Sequence, residues 1–146
     1  MNKLFGIIFA LLICACTAVK ERLAIKECKF SLVSVRAYDF DYSDLKLDFA
    51  IEINNPNKAD AVLDKFTYSF YADENSVFSG TTGQSIKVAP GKSKTFLTTI
   101  TLEYKKIGGS IIDAITMGKA VYKMKGQAYV KTMLGEISYP VEITLK

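Results

Sequence analysis

The stretch that decides the fold is "LKLDFAIEINNPN", residues 45–57. Leu45, Leu47, Phe49, Ile51 and Ile53 fall on one face, and Lys46, Asp48 and Glu52 on the other. That period of two is a half-buried strand. It then runs into three asparagines and one of only three prolines in the chain. Asn side chains bond nearby backbone and tolerate unusual φ, while a proline cannot donate to a ladder. "NNPNKAD" therefore ends the strand and turns the chain, and on these grounds Asn55, Pro56 and Asn57 are structural residues rather than catalytic ones.

Outward from this point the same alternation recurs. A first strand is expected over 28–37, with Phe30, Leu32 and Val35 as its apolar residues. The turn 38–44 follows, "YDFDYSD". Its Asp39, Asp41 and Asp44 lack the glycine and the closing glutamate of an EF-hand loop, so a solvated turn is the expectation. After the strand 45–54, another over 62–71 places Val62, Phe66, Tyr68 and Phe70 on one face. Short strands are expected at 76–81 and 84–89. In "APGKS" (89–93), Pro90 presets φ and Gly91 admits positive φ. A strand over 93–104 has Phe96, Ile100, Leu102 and Tyr104 inward, with Leu97 breaking the pattern.

Between 105 and 118 the period changes. Ile107, Ile111, Ala114 and Ile115 have the spacing of one helical face, with Gly118 able to close it. Two long strands finish the chain, 120–133 and 136–145, with Gly135 in a tight connection. No βαβ alternation or repeat is present. The expected fold is all-β: an antiparallel Ig/fibronectin-like β-sandwich of about seven or eight strands, with one α-helix before the last two.

The chain start is of another kind. Lys3 precedes an apolar run, "LFGIIFALLI" (4–13), too short to span a bilayer comfortably. "ICAC" (13–16) resembles the lipobox of bacterial lipoproteins: Ile13 stands for the usual Leu, Ala15 is the small residue before the cut, and Cys16 is the lipidation site. The alternative is an ordinary secretory leader with an incidental cysteine. The resemblance divides the chain into a leader, 1–15, a lipidated N-terminus and tether, 16–27, and one domain, 28–146. Cleavage removes Lys3 and no acid, so the formal charge of +4 becomes +3. Thr17 stands where an Asp would argue for inner-membrane retention, so outer-membrane attachment facing the periplasm is expected. Cys28 then remains without a disulfide partner and is read as a small buried hydrophobe.

Composition narrows the function. The chain has no histidine, which removes imidazole triads and His-type zinc sites. The 19 basic residues are spread over many segments rather than gathered in a stripe, so no nucleic-acid interface is expected. No Ser–Lys or paired-carboxylate spacing supports catalysis, and neither cofactor nor metal is expected. Oligomeric state is not legible.

"IEINNPN" resembles the strand and Asn-Pro-Asn of the WHy domain (water stress and hypersensitive response) of the late-embryogenesis-abundant type 2 proteins. Further signals follow in order: Tyr68; Gly80 after "VFS"; "IKVAPGKSKTF" (86–96), with Pro90 and Gly91; "YKMKG" (122–126); and "GEISYPVEI" (135–143). "FLTTITL" (96–102) lacks a proline often found there, which puts the edge geometry of that strand in doubt. The resemblance covers about 28–146. It implies a non-enzymatic role in protecting proteins or membrane against desiccation, freezing or osmotic stress. The implied partners are a membrane, through the N-terminal lipid, and stressed client proteins. The alternative is an envelope adaptor or binding lipoprotein that uses the loops 38–44, 54–60 and 73–76.

Overall fold

A computed structural model describes residue 7 and residues 16–145, the side chains of 144 and 145 excepted. The leader expected over 1–15, apart from residue 7, lies outside the described residues. Residues 16–23 are helical (α1) and run into a 3-10 turn, Ala24–Glu27, whose Ala24 and Ile25 are buried. The segment expected to be a tether is thus regular and ends inside the core.

Among the described residues nine strands follow: β1 (Lys29–Tyr38), β2 (Asp44–Asn54), β3 (Ala61–Leu63), β4 (Lys65–Ala72), β5 (Asn75–Thr81), β6 (Ile86–Val88), β7 (Ser93–Glu103), β8 (Tyr122–Thr132) and β9 (Gly135–Leu145). One short helix, α2 (Gly109–Thr116), precedes the last two strands, as expected. Gly118, at φ 66°, closes it: its N–H reaches the Ile115 carbonyl and the Lys119 N–H the Ala114 carbonyl, the paired bonds of a left-handed helix stop.

The protein is mostly β, but the expected antiparallel sandwich is corrected. Seven strands form one continuous mixed sheet, in the order β5-β4-β8-β9-β1-β2-β7, and β3 pairs with β6 in a separate ribbon. The pairing of β1 with β9 is parallel, with Phe30 opposite Ile143. The sheet curls until its two ends face each other, giving a nearly closed, barrel-like shape. Aromatic rings span the interior: Phe49 of β2 stacks on Phe70 of β4 at 5.7 Å, and Phe66 of β4 meets Phe96 of β7 at 6.1 Å. The alternating residues of 45–53 are all fully buried in this interior.

Local departures from simple alternation have local causes. A bulge between Leu32 and Ser34 lets Val33 face solvent and returns Val35 to the inner side. The strand expected over 62–71 breaks at Asp64, so Ala61 and Leu63 are buried and Val62 turns outward, against expectation. Ile137, near the start of β9, is exposed.

The strand directions give the molecule two poles. The N-terminal pole gathers α1, the loop 54–60, the loop 82–85, the turn 89–92 and the β8–β9 hairpin tip. The opposite pole holds the turns 39–43 and 73–74 and the segment around α2. Of the loops named for a binding role, 38–44 and 73–76 share a pole and 54–60 lies at the other.

Candidate functional site

Asn55 is the one wholly buried polar side chain among the described residues, with no exposed surface. Every bonding position of its amide is used. Its Nδ2 donates to the carbonyls of Ala59 and Val88, both at 2.9 Å, and to Ala89 at 3.3 Å. Its Oδ1 accepts the Asn57 N–H at 3.0 Å and the Asn57 Nδ2 at 2.8 Å, with the Cys28 thiol at 3.9 Å. Its backbone N–H donates to the Lys92 carbonyl. Asn57 Nδ2 in turn donates to the Ala24 carbonyl at 2.9 Å. The interruption of the strand is therefore a joint. One amide ties the end of β2 to the end of β6 and to the Pro90-Gly91 turn, and Asn57 extends the tie to the N-terminal segment. Proline is admitted between the two asparagines because the strand has ended at Asn54 and no ladder donor is needed from Pro56. Gly91 takes φ 63°, as a turn there requires.

The structure thus unites Asn55, Asn57, Pro90 and Gly91 in one structural feature. Cys16 stands apart, exposed at the start of α1. Cys28 lies against the joint. Burial, with Glu27 nearby, pushes its thiol up from 9.0 to about 11, so it is a poor nucleophile near neutrality.

Sequence reasoning passed over Asp64. Its carboxylate receives Arg22 of α1 through Nε at 3.0 Å and Nη2 at 3.2 Å, and accepts the Lys131 N–H of β8 at 2.7 Å. The signal was an acid interrupting an apolar strand. The aspartates of the 38–44 turn are engaged locally: Asp39 pairs with Lys46, Asp41 accepts the Tyr42 N–H, and Asp44 accepts the Ser43 hydroxyl. No cluster of three or more metal-ligating side chains occurs among the described residues.

The outer face of β5, β4, β8 and β9 forms an open trough of about 1120 Å³. Two ladder rows cross it: Thr81, Thr67, Gln127 and Pro140, then Ser79, Ser69, Lys125 and Glu142. The Ser69 and Ser79 hydroxyls lie 2.9 Å apart, and Lys125 Nζ sits 5.6 Å over the Tyr71 ring. Beneath the trough, the Tyr68 hydroxyl bonds Thr98 and its pKa is raised by burial. The Tyr68 and Phe66 rings cover Gly80 and Gly126, where any Cβ would collide with them. Small residues there let β5 and β8 lie flush on the rings. The trough offers hydroxyls, an amide, the ammonium groups of Lys123 and Lys125 and one carboxylate: a hydrogen-bonding surface.

No curated protein matches the chain by sequence. In fold it is similar to AT1g01470 from Arabidopsis thaliana, with TM-score 0.57 and 13% identity over 77% of this chain and 76% of that one. It is also similar to At2g46140.1, a protein named as a candidate late embryogenesis abundant (LEA) protein. There the TM-score is 0.51 and the identity 15%, over 96% of this chain and 82% of that one. The profile of the late embryogenesis abundant proteins, LEA_2, matches residues 50–145, from the middle of β2 to the end of β9, and the chain belongs to that family.

Proposed function

We propose that the protein is a lipid-anchored component of the cell envelope that protects proteins or membrane against desiccation, freezing or osmotic stress without catalysis. The observation that carries this reading is LEA_2 membership over the barrel, joined to the lipobox-like Cys16. In the proposed mechanism the acylated thiol of Cys16 holds the domain at the outer-membrane surface facing the periplasm. Two or three acyl chains, at roughly 0.8 kcal/mol per buried CH₂, hold firmly. The rigid barrel then separates partly unfolded neighbours by presenting Thr, Ser and Lys to them, without tight binding. The purified chain is expected to preserve a labile enzyme through freeze–thaw cycles better than an equal mass of albumin. Equal performance would remove the protective role. Intact mass of membrane-extracted protein, with and without Cys16→Ser, tests the anchor.

The hydroxyl-lined trough favours a second reading, a binding lipoprotein that holds a polar ligand or partner on the outer sheet face. A stable co-purifying partner lost on Ser69→Arg, with protection in the freeze–thaw assay unchanged, would select this reading over the first.

A further inference from the structure

The β8–β9 hairpin ends in two exposed apolar side chains: Met133 is 83% exposed and Leu134 98%. The tip is nonetheless held in shape. The Leu134 N–H donates to Thr132 Oγ1 at 3.2 Å, and the Thr132 hydroxyl donates to the Gly135 carbonyl at 2.8 Å. Strand register also makes the tip project. Phe30 pairs with Ile143, so residues 135–141 run past the start of β1, about 20 Å of strand. Lys65 pairs with Tyr129, so 130–134 run past the start of β4.

The tip belongs to the N-terminal pole. Asp64 holds both Arg22 of α1 and the Lys131 N–H, two residues before Met133. From Arg22 the helix rises only about 9 Å to Cys16. Charge is divided in the same sense. Segments 16–29, 54–65, 82–94 and 130–136, at this pole, carry ten Lys/Arg against five Asp/Glu. Segments 36–48, 72–75 and 103–123, at the other, carry six against eight.

We propose that the N-terminal pole docks on an anionic phospholipid bilayer, with Met133 and Leu134 entering the acyl boundary and the surrounding lysines meeting the headgroups. Apolar tip residues at a pole with an excess of cations suit that interface, where buried apolar area and attraction to anionic lipid act together. The inference deepens the anchored-protein reading and rests on it for the site of attachment: a lipid on Cys16 would fix the same pole to the membrane.

The chain contains no tryptophan, so Leu134→Trp and, at the opposite pole, Tyr42→Trp each place a single reporter at an exposed site. The full chain is extracted, reconstituted in phosphatidylglycerol/phosphatidylethanolamine vesicles and quenched with brominated acyl chains or with aqueous iodide. Brominated lipid is expected to quench Leu134→Trp severalfold more than Tyr42→Trp, and iodide the reverse. Added from solution, the Met133→Ser/Leu134→Ser chain is expected to bind these vesicles roughly tenfold more weakly than the parent chain. Equal iodide access at both positions overturns the proposal. So does iodide protection of Leu134→Trp without bromolipid quenching, which would assign the tip to a protein contact. Intact mass of the same samples reports lipid on Cys16 separately, so an unmodified cysteine removes the anchor reading while quenching still decides the docking.

Discussion

The two poles of the barrel are built differently. At the N-terminal pole a buried amide with every bond satisfied ties three loops together, and a two-pronged ion pair pins α1 to the strand break at Asp64. At the opposite pole the side-chain bonds of the turns are exposed. Asp73 and Glu74 both adopt positive φ, and Asp39 does so beside its exposed bond to Lys46. Both poles have ties across long sequence separations, but those of the first centre on a wholly buried side chain, whereas those of the second, Asp73 to Val121 and Tyr104 to Ser43, run through backbone groups and one exposed carboxylate. Buried side-chain bonding is therefore concentrated where the chain enters the fold.

The largest expected effect is at the joint. Asn55→Ala leaves the Val88 carbonyl without its amide donor, and is expected to cost about 3 kcal/mol. That corresponds to a fall of roughly 10 °C in Tm by thermal denaturation. Asp41→Ala at the other pole, which loses one exposed bond to the Tyr42 N–H, is expected to cost only about 0.5 kcal/mol. Equal losses would break the comparison.

Next in size is the chemistry of Cys28. With its pKa pushed up to about 11, alkylation mapped to Cys28 at pH 8 is expected to run roughly a hundredfold slower than in the unfolded chain. The sign for stability follows from the same shift. Below pH 9 the thiol is neutral in both states; from there to about pH 11 it ionises only when unfolded. Its contribution is therefore complete below 9 and is lost as pH rises. Cys28→Ala is expected to flatten that part of the alkaline stability profile measured by denaturant titration.

A smaller effect tests whether the pin is local. Arg22→Ala removes a partly buried ion pair and is expected to cost about 1 kcal/mol. Amide exchange is expected to quicken in 16–23 while the protection of β2 and β8 stays as it was. The smallest effect lies at the opposite pole and has the other sign. Glu74 holds φ 66°, so Glu74→Gly is expected to stabilise by about 0.5 kcal/mol, read as a rise in Tm.

Much of the fold was legible because its signals are local. The alternation of 45–53, the changed period before Gly118 and the Gly91 turn each follow from neighbouring residues, and each is where the sequence places it. The parallel pairing of β1 with β9 was not legible, since no local signal says that residue 30 will meet residue 143. A sandwich and a curled single sheet demand the same alternation along each strand, which is why the two were confused. The break at Asp64 escaped because Val62 and Phe66 keep the same parity across a residue that resets the phase. At the joint, the structural role of Asn55 and Asn57 was readable from turn chemistry. Their bonds to Val88 and Ala24 were not, being distant in sequence.

The β1–β9 pairing has a consequence for the order of assembly. A chain emerging residue by residue, from a ribosome or through a secretion pore, presents β1 early with one edge unmatched. That edge waits for Ile143 and its neighbours in β9, more than a hundred residues further along the chain. Contacts this distant in sequence make closure slow. Until β9 is made the sheet keeps this unmatched edge and cannot complete its curl.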